Sequence, residues 1–360
     1  MEDIMITIGN KRIGSNEPTF ITFEAGPTHS GLESAKRLVK HASDVGGDAI
    51  KFQIFDADRL VEDKMQLFTY QKLIDRKTNE LETVEEPLYD ILKRRCLNNN
   101  EWLELKAYCD DIGMAFFSTV GFEEDIELLI KMNCDSIKIA SADINYFPLI
   151  KKSAETGMSI QLDTGMATLA EIEMAIDVVR QTGNENIIIH HCPSGYPARL
   201  ESINLNVIRT LKQMFDYPIA FSDHTPGREM DLVAVAMGVN MVEKTITEDR
   251  MTPSVEHVMS LEPHEMQDFV LSIRNMEIAL GNGRRSMSGE EKIKRNAVRR
   301  SLFLQEPAKK GQKLRNCKIE FRRPGFGIAP DRFEELLDAE LSDDLPAGHM
   351  LSLPNLIWTQ

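Results

Sequence analysis

The sequence has little of what marks membrane-spanning, secreted or nucleic-acid-binding proteins. No apolar run approaches the roughly 20 residues of a membrane span, and the first residues lack the apolar core of a signal peptide. The five cysteines are odd in number and none is spaced as CxxC, which predicts free thiols in a reducing cytoplasm. A formal net charge of -15 disfavours nucleic acid and anionic membranes as partners. We therefore expect a cytoplasmic protein.

A regular alternation of apolar runs and helical patterns is present instead. Eight short apolar runs each end in a polar or charged side chain, and seven lead directly into an amphipathic stretch of helical period. The runs are FITFE, AIKFQ, MAFFS, SIKIA, SIQLD, NIIIHH, PIAFSDH and MVEKT. This alternation predicts an α/β fold, a (β/α)8 TIM barrel, whose catalytic groups lie at the carboxyl ends of the strands.

The chain is longer than a barrel alone requires, and its composition changes near residue 282. We predict a catalytic barrel over 1–282, a linker over 283–297 and a small, mostly β domain over 298–360 that is rich in Gly and Pro. The stretch 284–323 carries 14 Lys and Arg against four Glu. It could recruit an anionic substrate or pack on an acidic surface, and a solvated linker is the alternative.

A second irregularity is the polar excursion 56–98 after the second strand. A loop between a strand and a helix usually has about 2–6 residues, and this one leaves from the catalytic face. It is therefore a candidate lid or substrate-binding segment, with Tyr70 and Gln71 as residues that could point inward.

The predicted strand ends place polar side chains around one mouth: Glu24, Lys51, Gln53, Thr119, Lys138, Ser141, Thr164, His191, Ser222, His224 and Lys244. Lys51 and Lys138 lie in apolar strands, where burial is costly unless each meets an anion. Two such lysines beside several hydroxyl groups indicate a phosphate or carboxylate site. The alternative is that each lysine pairs with a buried Asp or Glu.

Three further side chains could act chemically. Glu24 could be a general base or orient a water molecule, or it could pair with Lys51 or Lys244. His224 could bind a metal or act as an acid-base group. Only one of the adjacent His190 and His191 can point inward, because side chains alternate along a strand.

At this point the chain resembles the sialic acid synthase family. The matching segments are FEAGPTHSG, DAIKFQ, FFSTVGF, DSIKIAS, LDTGM, HHCPSGYPARLESINLNVIRTLK, AFSDHTPG and MSLEP. The carboxyl-terminal RRSLFLQEPAKKGQKL and FRRPGFGI resemble the antifreeze-like (SAF) domain of these synthases. The resemblance covers nearly the full length.

The resemblance implies condensation of phosphoenolpyruvate (PEP) with an N-acylated hexosamine-type aldehyde. It assigns PEP binding to Lys51, Thr119, Lys138, Ser141 and Ser222, and it makes Glu24 act on the water or the acceptor. It also implies a divalent metal, Mn²⁺ or Mg²⁺, on His224. The remaining substrate-binding residues that it suggests are Gln53, Thr164, Ser194, Tyr196, Glu256 and Arg323. Arg323 would reach the acceptor from the partner subunit of a domain-swapped homodimer.

The chain departs from the family pattern around the metal and the PEP. Thr245 stands where the family has its second metal-binding histidine, and a neutral hydroxyl is a weak ligand. Asp163 replaces a serine beside the PEP and would repel it unless it is protonated, turned away or paired with a lysine. Ser194 replaces an asparagine, Glu256 replaces an aspartate, and PTHSG replaces INHNG.

Two other functions stay open. One is a pyruvate-dependent aldolase or lyase in which Lys138 forms a Schiff base. The other is a non-catalytic paralogue that binds a sugar or PEP. The acceptor could be N-acetylmannosamine, its 6-phosphate or a diacetamido-trideoxyhexose.

Overall fold

The computed structural model describes residues 4–358, which divide into two compact units, Met1–Gly281 and Asn282–Gln360. The strands are β1 (Ile6–Ile8), β2 (Lys11–Ile13), β3 (Phe20–Glu24), β4 (Ala49–Ile54), β5 (Leu67–Asp75), β6 (Glu80–Pro87), β7 (Ala115–Val120), β8 (Ser136–Ile139), β9 (Ser159–Asp163), β10 (Ile187–His191), β11 (Ile219–Asp223), β12 (Met241–Thr245), β13 (Ser301–Leu304), β14 (Ile319–Arg322), β15 (Glu340–Leu341) and β16 (Leu356–Ile357).

The helices are α1 (Leu32–Asp44), α2 (Ala57–Leu60), α3 (Leu88–Lys93), α4 (Asn99–Asp111), α5 (Glu123–Lys131), α6 (Phe147–Ala154), α7 (Leu169–Arg180), α8 (Leu200–Ile203), α9 (Val207–Met214), α10 (Glu229–Ala236), α11 (Pro263–Leu280) and α12 (Gly289–Val298). Several begin where the sequence supplies a cap. Asn98 and Thr168 each accept a hydrogen bond from the backbone of a glutamate three residues later, which closes a capping box. None of these helices is long and apolar enough to cross a membrane.

The first unit contains the predicted barrel. The eight parallel strands β3, β4, β7, β8, β9, β10, β11 and β12 close in this order, and β12 pairs back with β3 so that Thr245 lies opposite Glu24. The apolar side chains that face outward from the strands pack against the surrounding helices in one continuous core. The prediction of an α/β barrel is confirmed, and the polar ends of its strands meet at one rim.

A short hairpin that the sequence did not reveal closes the opposite end. β1 and β2 pair antiparallel, and Ile6, Ile8 and Ile13 are buried against residues of the lower barrel interior such as Phe117 and Met241. Because this apolar cluster fills the lower interior, the barrel opens only at the carboxyl ends of its strands within the described residues.

The long excursion after β4 folds as α2, the antiparallel hairpin β5–β6 and α3. The Tyr70 hydroxyl donates to Glu86 Oε1 at 2.7 Å, and Gln71 Nε2 donates to Thr83 Oγ1 at 3.0 Å. Both side chains are held within the hairpin, so the expectation that they point into the mouth is wrong. The cross-strand pairs of the hairpin use them instead.

The second unit has its own small core, built from Leu302, Leu304, Leu314, Leu341, Leu351 and neighbouring apolar residues. Its strands form two short antiparallel pairs, β13–β14 and β15–β16. The predicted linker, 283–297, contains most of helix α12, which begins with a capping box between Ser288 and Glu291. No side chain of α12 is buried.

Candidate active site

A cavity of about 390 Å³, lined by both apolar and charged side chains, lies at the carboxyl ends of the barrel strands, and we call it the mouth cavity. Eight of the predicted site residues line it: Glu24, Lys51, Gln53, Thr119, Ser141, Tyr196, His224 and Glu256. Asp163, Glu243, Arg95 and Phe68 also contribute to its wall. Strand ends far apart in the sequence therefore supply one continuous surface.

Lys138 does not line the mouth cavity itself but is buried behind two of its wall residues, Glu243 and Asp163. Its ammonium group is fully buried and donates to both oxygens of Glu243, at 2.7 and 2.6 Å, and to Ser222 Oγ at 3.1 Å. Asp163 Oδ1 lies 3.1 Å from the same nitrogen. The structure therefore shows the predicted alternative, in which this lysine pairs with a buried carboxylate.

Lys51 continues this network toward solvent. Its Nζ donates to Glu243 Oε1 at 3.0 Å and contacts Glu24 Oε2. The two lysines thus share Glu243, and three carboxylates surround two ammonium groups. Because the carboxylates outnumber the ammonium groups by one, protonation of one carboxylate is favourable.

Glu24 is the carboxylate whose environment favours protonation. Burial raises its pKa from 4.5 to about 7; Lys51 opposes this shift, and the negative charges of Glu243 and Glu256 add to it. Burial alone would also raise the pKa of Glu243, but Lys138 and Lys51 outweigh it and hold that pKa well below its usual range. Glu24 therefore can take or give a proton near neutral pH, whereas Glu243 stays ionised.

Asp163 is paired with a lysine. This is one of the three situations in which a carboxylate at this position is not expected to repel PEP. Ser222 Oγ lies 3.3 Å from Asp163 Oδ1 and 2.9 Å from His190 Nδ1. The second His190 nitrogen donates to the amide oxygen of Gln161 at 2.8 Å, which sets the tautomer. Burial lowers the pKa of His190 to about 3, so the imidazole is neutral.

Two expected mouth residues lie on the opposite face of their strands. Lys244 contacts Asp223 and lies 3.4 Å from Asp231 on α10, while its neighbour Glu243 points inward. His191 Nε2 donates to the backbone oxygen of Ile203 at 2.6 Å, while His190 points inward. The expectation that Lys244 and His191 face the mouth is wrong, because the register of their strands gives the interior to the preceding residue.

Thr164 and Ser194 do not line the mouth cavity. Thr164 is buried, and its hydroxyl donates to the backbone oxygen of His190 at 2.7 Å. Ser194 is exposed but lies close to Gly165, where an added Cβ would fall 2.8 Å from Ser194 Oγ and 3.1 Å from Ser141 Cβ. Gly165 thus allows the backbone of the loop after β9 to approach these two serines.

His224 is oriented as a metal ligand, but few other groups that could bind the same metal gather around it. Its Nδ1 donates to the backbone oxygen of Pro193 at 3.1 Å, which leaves Nε2 free, and its ring lies 4.7 Å from that of Tyr196. Thr245, at the position of the second family histidine, donates to Glu256 Oε2 at 3.2 Å. Carboxylates line the same cavity, but within the described residues His224 does not gather with two other possible ligands within 4.8 Å, which is a poor fit to Mn²⁺ or Mg²⁺.

In the part of the chain that the structure describes, one group of three possible ligands gathers within 4.8 Å: Glu262, His264 and Glu265. It lies at the start of α11 and does not include His224, and Glu262 is bound by Arg76 and Arg250. This group therefore neutralises arginines and does not form the predicted metal site. A metal on His224 stays a prediction from the resemblance.

The candidate site includes two charged residues that the sequence alone did not bring out. The sequence pattern predicts Lys244 at the mouth, yet alternation along MVEKT is equally compatible with Glu243 pointing inward. Arg95 comes from the end of the excursion, where no strand pattern places a side chain. Arg323 is exposed in the second unit.

A closed parallel α/β barrel with charged side chains at the carboxyl ends of its strands is the architecture of a TIM-barrel enzyme. Residues 38–285 match the NeuB family. The chain is 36% identical over 348 residues to the N,N'-diacetyllegionaminic acid synthase of Legionella pneumophila, covering 95% of this chain and 96% of that protein.

Two further relatives agree. The N-acetylneuraminate-9-phosphate synthase of Homo sapiens is 30% identical over 75% of this chain and 73% of its own. The solved N-acetylneuraminic acid synthetase of Leptospira borgpetersenii, in complex with citrate, superposes with a TM-score of 0.70 at 31% identity, over 81% of this chain and 95% of that one. The chain belongs to the NeuB family, and the predicted resemblance to sialic acid synthases is confirmed.

Proposed function

We propose that this protein condenses PEP with an N-acylated hexosamine-type aldehyde to form a sialic-acid-like 2-keto acid. Carbon 3 of PEP forms a bond to the aldehyde carbon, whose oxygen takes a proton. Water adds at carbon 2, and the carbon 2–oxygen bond to phosphate breaks, which releases phosphate and leaves a ketone. The observation that carries the proposal is the pair of buried lysines, Lys51 and Lys138, beside the hydroxyl-lined mouth cavity.

We assign contact with the anionic substrate to the ammonium groups of the two lysines, whose charge is balanced by neighbouring carboxylates before substrate binds. Thr119 and Ser141 line the same wall and offer hydroxyl donors, while Lys51 reaches the cavity from its floor. In the free protein Glu243 and Asp163 neutralise the lysines, so these groups are held in place before substrate arrives. Such preorganised charge costs little rearrangement during the reaction.

Glu24 is the proton-transferring group in this proposal. Its pKa of about 7 suits a residue that gives a proton to the aldehyde oxygen or takes one from the attacking water. Lys51 contacts it directly and would stabilise the carboxylate once the proton has left. Tyr196 and Gln53 line the cavity nearby and would orient the acceptor.

A metal ion would polarise the aldehyde oxygen as a Lewis acid when bound at His224. The residues at this position fit it poorly, since Thr245 offers a hydroxyl where a second imidazole is expected. In the proposed reaction Glu24 would protonate the developing oxygen anion, and Lys51 lies beside Glu24 to stabilise negative charge.

The second unit is proposed to be an SAF domain that delivers Arg323 to the partner subunit of a homodimer. Support comes from the motif FRRPGFGI, and from the exposure of Arg323 on a unit with its own core. The proposal makes the complete site depend on two chains.

The Schiff-base alternative has less support. Schiff-base formation needs a neutral amine with access to the substrate, whereas Lys138 is fully buried and bound to Glu243 and Asp163. Borohydride trapping with pyruvate tests this alternative directly, and covalent labelling of Lys138 would favour it over the synthase.

The experiment that tests the proposed function is phosphate release from PEP across a panel of N-acyl-hexosamine acceptors, with and without EDTA and added Mn²⁺. We expect release that requires both an acceptor and Lys51, so that Lys51→Ala abolishes it. Release that survives EDTA would keep the synthase and remove the metal. Binding of PEP without release for any acceptor would favour the non-catalytic paralogue.

A further inference from the structure

Arg95 is a buried cation without a counter-ion. It is 8% exposed, and within residues 4–358 its Nε has no hydrogen-bond partner and its guanidinium forms no ion pair. Burial lowers the pKa of Arg95, and the carboxylates of Glu256 and Glu24 in the wall of the mouth cavity oppose this shift without cancelling it. An arginine stays charged in proteins, so an unpaired buried guanidinium is costly unless a ligand completes its bonds.

A second unpaired donor lies beside it. His29 is 3% exposed, and its Nδ1 accepts a hydrogen bond from the Gly31 backbone at 3.4 Å, so Nε2 carries the hydrogen. Among the residues that the structure describes, this Nε2 has no hydrogen-bond partner. Burial, together with the charge of Arg95, lowers the pKa of His29 to about 3, which keeps the ring neutral. Phe52 and Trp102 hold its ring edge-on and fix its direction.

Arg95 and His29 both line a cavity of about 300 Å³ next to the mouth cavity, which we call the side cavity. Ser30, Thr252 and Ser254 line it as well, and its two carboxylates, Glu248 and Asp249, are paired with Arg37 and Arg76. Arg95 and Ile91 belong to the walls of both cavities, so they form the boundary between them.

The other cations at the mouth are already paired. Lys51 is held by Glu24 and Glu243, and Lys138 by Glu243 and Asp163. In the side cavity, Arg94 forms two hydrogen bonds of 2.8 Å to Glu86. Within the described residues Arg95 is thus a cation of the cavity walls that forms no ion pair, and His29 adds a neutral donor in the side cavity.

The geometry points to an oxyanion-binding subsite at Arg95 and His29 that takes a phosphoryl or carboxylate group of the acceptor sugar. This inference rests on the proposed function, because the reacting aldehyde would lie near Glu24 while the far end of the sugar extends past Arg95. A guanidinium and an imidazole N–H are suited to the oxygens of such a group. The subsite would select acceptors with an anionic group at carbon 6 over neutral ones.

The test is a binding measurement on the full-length protein that requires no turnover. Calorimetric titration would compare N-acetylmannosamine with its 6-phosphate and its 6-carboxylate on the wild type and on Arg95→Met. We expect at least one anionic sugar to bind the wild type about tenfold or more tightly than the neutral sugar, and Arg95→Met to remove this preference. Equal affinities of the wild type and the variant for all three sugars would overturn the inference.

A stability readout separates binding from a structural role. Arg95→Met removes an uncompensated buried charge, so we expect its melting temperature without ligand to equal or exceed that of the wild type. The anionic sugar should raise the melting temperature of the wild type and not that of the variant. Arg59→Met, which removes an exposed arginine stacked on Phe122, is the control and should keep the preference for the anionic sugar.

The affinity for PEP distinguishes a subsite for the acceptor from a subsite for PEP. Its affinity should change less than about threefold in Arg95→Met if the subsite serves the acceptor. A large loss of PEP affinity with unchanged sugar binding would assign Arg95 to PEP and contradict the inference. Arg95-dependent sugar binding without phosphate release would support the subsite while the proposed function fails.

Discussion

Lys138 and Glu243 face each other across the barrel interior, joined by hydrogen bonds of 2.7 and 2.6 Å between the ammonium group and the two carboxylate oxygens. Glu243 also accepts from Lys51 at 3.0 Å, so a single carboxylate holds both lysines of the candidate site. The organisation of the mouth cavity depends on this shared anion.

The first prediction concerns stability. Glu243→Gln keeps the shape of the side chain but leaves Lys138 and Lys51 with less compensation in a buried place. We expect a loss of about 3–5 kcal/mol in the free energy of unfolding, measured by urea denaturation of the barrel. Glu306→Gln, which breaks the exposed pair with Lys318, is the control and should cost less than about 1 kcal/mol. Similar losses for both variants would show that the buried network does not depend on Glu243.

The second prediction concerns pH. The pKa of Glu24 is about 7 in the native state against 4.5 for an unperturbed glutamate, so the native state keeps a proton that the unfolded chain loses. The stability that this proton contributes is fully present below pH 4.5 and is lost as the pH rises through 7. Glu24→Gln removes this dependence, so its free energy of unfolding should rise relative to the wild type between pH 4.5 and 7. A constant difference across this range, measured at one-unit steps, would contradict the raised pKa.

How far the sequence predicts this site depends on the kind of element that supplies each residue. Lys51 and Gln53 were placed correctly in the mouth because a strand of clear apolar pattern determines which side each residue faces. In MVEKT both faces are buried, so hydrophobicity cannot decide between Glu243 and Lys244, and only the closure of the barrel does.

The positions of residues outside the strand pattern could not be predicted from the sequence. Arg95 follows α3 at the end of the excursion, and its burial depends on the packing of that excursion against the barrel. The hairpin β1–β2 consists of strands of three residues, too short for an alternating pattern to be recognised. Its position becomes apparent only from contacts with distant strands.

A third prediction addresses Asp163. Asp163→Ser restores the serine common in the family and removes a carboxylate that lies 3.1 Å from Lys138. The lysines would then carry a larger net positive charge, and we expect PEP to bind about tenfold more tightly in calorimetric titration. Asp143→Ser removes the same charge from the wall of the mouth cavity and should change the affinity less than about threefold. Weaker PEP binding to Asp163→Ser would show that Asp163 orders Lys138 for the substrate.

A fourth prediction tests the arginine supplied by the second unit. Arg323→Ala and Lys51→Ala should each be inactive alone if one chain provides Lys51 and the other Arg323. Random exchange of the two variants should restore about one quarter of the wild-type activity, because half of the dimers are mixed and each of these has one complete site. Absence of activity, with mixed dimers demonstrated by differently tagged subunits, would exclude an arginine acting in trans.

The central claim is that carbon 3 of PEP becomes bonded to the aldehyde carbon of the acceptor. The most direct measurement is ¹³C NMR of a reaction between PEP labelled at carbon 3 and an acceptor labelled at carbon 1. We predict a product in which the two labels show one-bond carbon–carbon coupling, formed by the wild type and not by Lys138→Met. Label that stays in PEP or appears only in pyruvate, with an acceptor that the protein binds, would contradict the proposed synthase.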